Sequence, residues 1–133
     1  MTVVLLDTHA WAWSLNDDVR LTETARHALA TADLVYISPI SLFEIGQKVR
    51  IGKWPEMAVH LAQLPSLIAA QGAKTAAASP EVCLLAATLP WLHRDPFDRL
   101  LAATALHFGL HLISADGVFD ELQKTQGWKR RIW

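Results

Sequence analysis

Short apolar runs alternate along the chain with stretches whose apolar positions recur every three or four residues, the pattern of a layered α/β fold. Thr2 to Leu6 is continuously apolar after its first residue, which predicts a strand buried on both faces. Asp7 ends that strand and caps a short helix carrying Trp11, Trp13 and Leu15. Thr22 opens a second helix in an incomplete capping box, with Ala25 in place of the usual acid, and Leu29 and Ala32 extend its apolar face. Leu34 to Ile37 reads as the second strand. Ser38-Pro39 then starts a helix with Leu42, Ile45 and Val49 at helical spacing, stopped by Gly52. Glu56 to Ala70 predicts a further helix, kinked or split at Pro65, with Leu61, Leu64 and Leu67 available for packing. Lys74 to Ala78 is a weak third strand, because alanine forms strands poorly. Ser79-Pro80-Glu81 opens a helix that ends before Pro90, and Asp95-Pro96-Phe97-Asp98 opens another that Gly109 stops. His111 to Ser114 is a short strand, Ala115-Asp116-Gly117 a turn, and Arg131 to Trp133 a candidate edge strand. Right-handed crossovers between such strands give a parallel sheet covered on both faces.

Composition narrows what this α/β unit can be. At 133 residues, 52% hydrophobic and 19% charged, the chain suits one domain spanning 1–133, with no low-complexity tract or linker. Cys83 is the only cysteine, which excludes a disulfide framework within the chain and an all-cysteine metal site. Met-Thr-Val-Val-Leu-Leu-Asp has no basic n-region, and no apolar run approaches the ~18 residues of a membrane span, so a cytoplasmic protein without membrane contact is expected. Twelve Lys and Arg stand against 13 Asp and Glu, which argues against a protein that coats nucleic acid by its bulk field. It leaves open an enzyme that recruits cations to its acids.

In a parallel sheet, chemistry gathers beyond the carboxyl ends of the strands. Asp7 follows the first strand, Asp116 follows the strand His111 to Ser114, and Asp98 lies in the first turn of the helix just before that strand. Glu44 sits on a helix among apolar neighbours, Leu42 and Ile45, where an uncompensated acid is costly. Each acid also has an ordinary explanation. Asp7 caps a helix, Glu44 pairs with Lys48 at i, i+4, Asp95 and Asp98 suit a helix start, and Asp116 before Gly117 is a common turn residue. Their joint placement adds something. Four carboxylates converging on one edge repel one another, and a divalent cation resolves the conflict; oxygen-only ligands favour Mg²⁺ or Mn²⁺ over zinc. Such an ion would activate water and stabilise charge at a phosphodiester.

Other residues refine this picture. The hydroxyls of Thr8, Ser41 and Ser114 are candidates for orienting carboxylates or water, or are plain caps. Arg94 and Arg99 flank the Asp95 to Asp98 segment as candidate phosphate contacts, Arg99 equally as a partner for a neighbouring carboxylate. His9 and His93 belong to no zinc-binding pair, which leaves helix packing or solvent contact for both. Among six tryptophans, Trp54 follows Gly52-Lys53 in an expected loop and is the best placed for a protein-binding surface, while Trp133 packs to anchor the C-terminus.

Val-Val-Leu-Leu-Asp-Thr-His at 3–9, Ser-Pro-Ile-Ser-Leu-Phe-Glu-Ile at 38–45, Gly-Lys-Trp at 52–54, His-Arg-Asp-Pro-Phe-Asp-Arg at 93–99 and Ser-Ala-Asp at 114–116 together resemble a PIN-domain ribonuclease, in particular the VapC-type toxins of bacterial toxin–antitoxin modules. The resemblance spans nearly the whole chain, and Asp-Pro-Phe-Asp-Arg is its most specific part. It implies an α/β/α sandwich with a parallel sheet of about five strands. It further implies Mg²⁺- or Mn²⁺-dependent hydrolysis of RNA, a homodimer, and a small antitoxin that lays its C-terminal segment over the site. Asp7, Glu44, Asp98 and Asp116 match the family's acidic quartet, Ser114 its Thr or Ser, and Asp95 a structural aspartate. Two other readings compete. A Mg²⁺-dependent phosphohydrolase of a different doubly wound fold would need a second aspartate where His9 stands. A catalytically silent PIN-like binding module would not need the complete acid set, and a receiver-type switch would need its phosphoacceptor at Ser38.

Overall fold

The computed structural model describes residues 1–133. Its centre is a parallel sheet of β1 (Val3–Leu6), β2 (Leu34–Ile37), β3 (Lys74–Thr75) and β4 (His111–Ile113), in the order β3-β2-β1-β4. The first strand is therefore internal, paired through Val3↔Leu34 to Leu6↔Ile37 on one side and Val4↔His111 to Leu6↔Ile113 on the other. That position explains its unbroken apolar run, because successive strand residues face opposite ways and both faces are covered. Val4 and Leu6 enter a cluster with Trp11, Ile37, Ile45 and Met57. Leu5 enters the other, with Leu101, Ala102, Leu112 and Phe119. Each such buried aliphatic side chain contributes about 1.5–3 kcal/mol.

The covering helices are α1 (Thr8–Leu15), α2 (Glu23–Thr31), α3 (Pro39–Arg50), α4 (Leu64–Ala70), α5 (Pro80–Thr88) and α6 (Pro96–Phe108). Their starts follow local chemistry. Asp7, Thr22, Ser38, Ser79 and Asp95 each accept a hydrogen bond from a backbone N–H of the first turn, and Pro39, Pro80 and Pro96 stand at the first helical position. Gly109 ends α6 at φ +66°, the left-handed conformation that favours glycine.

Three expectations are adjusted. Glu56 to Ala70 is not one kinked helix: Pro55–Gln63 is 3₁₀ and only Leu64–Ala70 is α-helical. The spacing of Leu61, Leu64 and Leu67 is three throughout, which suits the 3₁₀ period, and Pro65 falls in the first turn of α4 where its missing N–H costs nothing. β3 is two exposed residues, not five; Ala76 turns inward after its N–H donates to the Ile37 carbonyl at 2.9 Å. Arg131 to Trp133 supplies a single parallel bridge, Ile113↔Ile132, so the sheet has four strands and one bridge where about five strands were expected. Trp133 packs its ring 5.7 Å from that of Trp13. No helix is long and apolar enough to cross a membrane.

Candidate active site

Because β1 is internal, its carboxyl end opens between β2 and β4, and Asp7 is the first residue beyond it. The backbone N–H of Asp7 still donates to the Ile113 carbonyl at 3.0 Å, continuing the ladder. One carboxylate oxygen, Oδ1, then accepts from the Ala10 N–H at 2.8 Å and caps α1. The other, Oδ2, accepts from the Ser114 hydroxyl. Ser114 Oγ in turn accepts from the Asp116 N–H at 3.0 Å, so one fully buried hydroxyl ties the ends of β1 and β4 together. Capping and site placement are thus not alternatives for Asp7: each oxygen does one. Burial pushes the Asp7 carboxyl above the usual aspartate range, against the pull of Ser114 and Ala10.

Glu44 on α3 is buried and accepts from Lys48 Nζ at 2.8 Å. The ion pair and the buried position, weighed separately in the sequence, coexist. Behind it, Thr8 Oγ1 donates to Ser41 Oγ at 2.9 Å, both side chains being buried. Asp98 enters from the first turn of α6. Its N–H donates to Asp95 Oδ1 at 3.0 Å, which makes Asp95 the cap, and its Oδ2 meets His93 Nε2 at 2.7 Å. Burial raises the Asp98 carboxyl to about 6, with Asp95 and Asp116 adding repulsion and His93 opposing. Asp116 is exposed, and its Oδ1 caps the 3₁₀ turn Gly117–Leu122 by accepting from Val118 N–H at 2.9 Å.

Asp7, Glu44, Asp95, Asp98 and Asp116 all line one cleft of about 310 Å³, with Lys48 its only lysine or arginine. No three acidic or imidazole side chains close around a common point tightly enough to enclose a bare ion. The donor set nevertheless fits a hydrated hard cation: it is all oxygen, it carries excess negative charge, and Mg²⁺ commonly keeps several waters while taking only one or two carboxylates. Burial and repulsion from neighbouring acids raise the titration of Asp7 and Asp98, a tension that a cation relieves.

The expected arginines do not join them. Arg99 donates from Nε to the Ala86 carbonyl at 2.9 Å, from Nη1 to Trp91 and His93 at 2.6 and 2.8 Å, and from Nη2 to Leu89 at 2.6 Å. Its guanidinium folds the loop that carries His93 and pairs with no carboxylate. Arg94 is exposed and lines a separate concavity beside Cys83. Two histidines took more prominent places than the sequence reading gave them. His93 holds Asp98, and the signal was its position five residues before that acid across a proline-opened helix start. His9 lines the cleft and stacks on Trp54 with ring centroids 4.6 Å apart; its i, i+4 relation to Trp13 on α1 was the available hint.

The same arrangement of sheet and acids leads to relatives. A model of the PIN domain matches residues 4–125. This chain belongs to the PIN-domain family. The PIN domain here is 34% identical over 120 residues to the ribonuclease VapC22 of Mycobacterium tuberculosis (strain ATCC 25618 / H37Rv), covering 87% of this chain and 88% of that protein. Its fold is similar to that of VapBC2 of Rickettsia felis, bound to a DNA fragment from their promoter, with a TM-score of 0.67, 16% identity and 98% of both chains covered. It is also similar to VapBC-5 of M. tuberculosis at TM-score 0.65 and 17% identity, over 98% of both chains. A toxin–antitoxin complex from Klebsiella pneumoniae matches at TM-score 0.63 and 20% identity, over 93% of both. PIN membership displaces the alternative of a phosphohydrolase on a different doubly wound fold.

Proposed function

We propose that this PIN domain is a Mg²⁺- or Mn²⁺-dependent endoribonuclease, the toxin of a toxin–antitoxin pair, acting in the cytoplasm as a homodimer of single-domain chains. One observation carries the proposal: Asp7, Glu44, Asp98 and Asp116, drawn from four distant segments, open on one cleft beyond the strand ends. The naming of its relative VapC22 as a ribonuclease supports the substrate, and the toxin–antitoxin complexes among its structural neighbours support the protein partner.

In this reading the four acids would hold a hydrated cation among them, while Ser114 fixes the rotamer of Asp7 and the spacing of Asp7 to Asp116. Thr8 and Ser41 brace α1 against α3 behind Glu44, and His93 fixes Asp98. When bound, the ion supplies Lewis acidity that acidifies water and offsets negative charge at the scissile phosphate. Lys48 brings a further positive charge to the cleft wall, where it steers the RNA backbone. The protein partner in this reading is a small antitoxin that covers the cleft.

The test incubates the unmutated chain and Asp98→Asn with a mixed RNA pool in Mg²⁺, Mn²⁺ or EDTA. Cleavage is expected from the unmutated chain only, and lost in EDTA. Equal cleavage by Asp98→Asn would remove the acids from the chemistry. No cleavage, with no Mn²⁺ binding in calorimetry, would favour a silent binding module.

A further inference from the structure

Beside the acidic cleft lies a second concavity of about 580 Å³ with a different chemical character. His9, Trp13 and Lys48 line both spaces, so the two adjoin across these side chains. In the second, the Trp54 ring stacks on His9 at an interplanar angle of 19°, and Trp13 meets His9 edge-on at 5.8 Å. Cations are interleaved with these rings, alongside Asp18, which binds Arg20, and Glu56. The Arg20 guanidinium lies 4.8 Å from the Trp13 ring centroid and Lys48 Nζ 5.7 Å from that of Trp54. Lys53 lines the same groove and takes part in none of the ion pairs of the chain.

We propose that this groove is a stacking subsite for one nucleobase of single-stranded RNA, next to the phosphate held in the acidic cleft. The proposal rests on the ribonuclease reading above. Interleaved aromatic faces and cations are what an unpaired polynucleotide requires: each base presents a π face, and each phosphate a charge. The wall shared with the acidic cleft puts such a base beside the reacting bond. A base locked in a duplex could not enter, so the groove selects looped or unpaired RNA. A docked protein segment would be met by apolar side chains, yet most of the groove lining is polar or charged. The strongly exposed apolar residues Phe43, Leu84 and Leu92 lie outside it.

The test uses the full chain carrying Asp98→Asn, so that RNA is bound without being cut. Its affinity is measured by anisotropy for a labelled, unstructured mixed-sequence RNA oligonucleotide and for the same oligonucleotide with abasic riboses, in Mg²⁺. The parent is expected to bind the complete RNA more tightly than the abasic one. Adding Trp54→Leu, which keeps apolar volume without a π face, is expected to weaken the complete RNA about ten-fold and leave the abasic one unchanged. Trp54→Phe should restore most of the difference. Thermal unfolding of each variant establishes that it is folded, and Lys53→Ala, at an exposed position, is a second arm that weakens both RNAs about equally. Equal affinity of the parent for the two RNAs, or unchanged binding by both Trp54→Leu and Lys53→Ala, overturns the subsite. So does a Trp54→Leu chain that binds RNA normally but escapes its antitoxin, which would make the groove a protein surface. Metal-dependent cleavage by the unmutated chain, run in parallel, separates these failures from failure of the ribonuclease reading itself.

Discussion

Asp18 and Asp120 lie towards the surface, each held by two nitrogens of one arginine, Arg20 and Arg131, and their carboxyls titrate below the ordinary aspartate range. Asp7 and Asp98 lie in the cleft with no arginine, and theirs are pushed above it. The difference lies in the partners. Asp7, Asp95 and Asp98 receive a serine hydroxyl, backbone N–H groups and an imidazole, donors that orient a carboxylate without cancelling its charge, while Glu44 alone among the cleft acids pairs with an ammonium, that of Lys48. Arg99, which stands one residue from Asp98 and could have cancelled it, is instead spent on four carbonyls. Selection for stability alone would favour a guanidinium beside a buried acid. Leaving Asp7 and Asp98 oriented but un-neutralised keeps their charge available to a cation.

That contrast breaks most sharply in activity. Asp7→Asn should lower metal-dependent RNA cleavage by at least about a hundred-fold, on the order of a lost transition-state electrostatic contact. The same substitution at Asp120 should leave cleavage unchanged, and initial-rate assays of the two variants side by side check both. A comparable loss at both positions would mean that the cleft acids are not special. The next effect is on stability. Arg99→Ala leaves four carbonyls without their charged donor and should cost about 3 kcal/mol in urea unfolding. Arg99→Lys should recover only part of this, because one ammonium cannot span carbonyls of four different residues. Cleavage by Arg99→Lys should fall as well, since the loop it folds carries the His93 that fixes Asp98.

Much of this site is legible in the sequence. Asp7 and Asp116 could be placed because a strand of unbroken apolar residues must be internal, and the residue after an internal strand must reach the edge where loops converge. Glu44 stood out because its helical neighbours are apolar. What the sequence could not supply was direction. The guanidinium of Arg99 turns back on its own loop because the carbonyls of Ala86, Leu89, Trp91 and His93 converge there. That convergence depends on how α5 meets α6, a tertiary fact. The His93–Asp98 contact and the stacking of His9 on Trp54 are likewise products of packing between remote segments. The fold shows the same boundary: helix starts were readable from their caps, while the 3₁₀ stretch Pro55–Gln63 and the two-residue β3 were set by what they pack against.

Acid–base behaviour sharpens the comparison further, with smaller effects. In EDTA, Asp98 in the folded chain keeps its proton up to about 6, whereas in the unfolded chain it releases it near 3.8. Between those values the native state binds more protons, so stability falls as pH rises from about 4 to about 6, and does not return above that. Asp98→Asn should therefore flatten this part of a Tm-against-pH curve and raise the metal-free Tm at pH 7.5 by a few degrees. Added Mn²⁺ should raise the Tm of the unmutated chain at pH 7.5 more than at pH 5, because the ion binds the ionised acids.

The surface pairs run the other way. Their native carboxyls titrate below the unfolded value, so what they contribute is present above about 4 and is lost as pH falls, towards about 2 for Asp18. Asp120→Asn, the smallest effect, should cost less than about 1 kcal/mol at pH 7, since half of that side chain is in solvent and water screens the pair. Its cost should vanish at acid pH and shrink in high salt, whereas the gain from Asp98→Asn should persist in salt because its cause is burial. Thermal unfolding of both variants at low and high NaCl checks the pair of outcomes. If salt erased the Asp98→Asn gain as readily as the Asp120→Asn loss, the cleft acids would be ordinary surface charges, and the division between oriented and neutralised aspartates would fail.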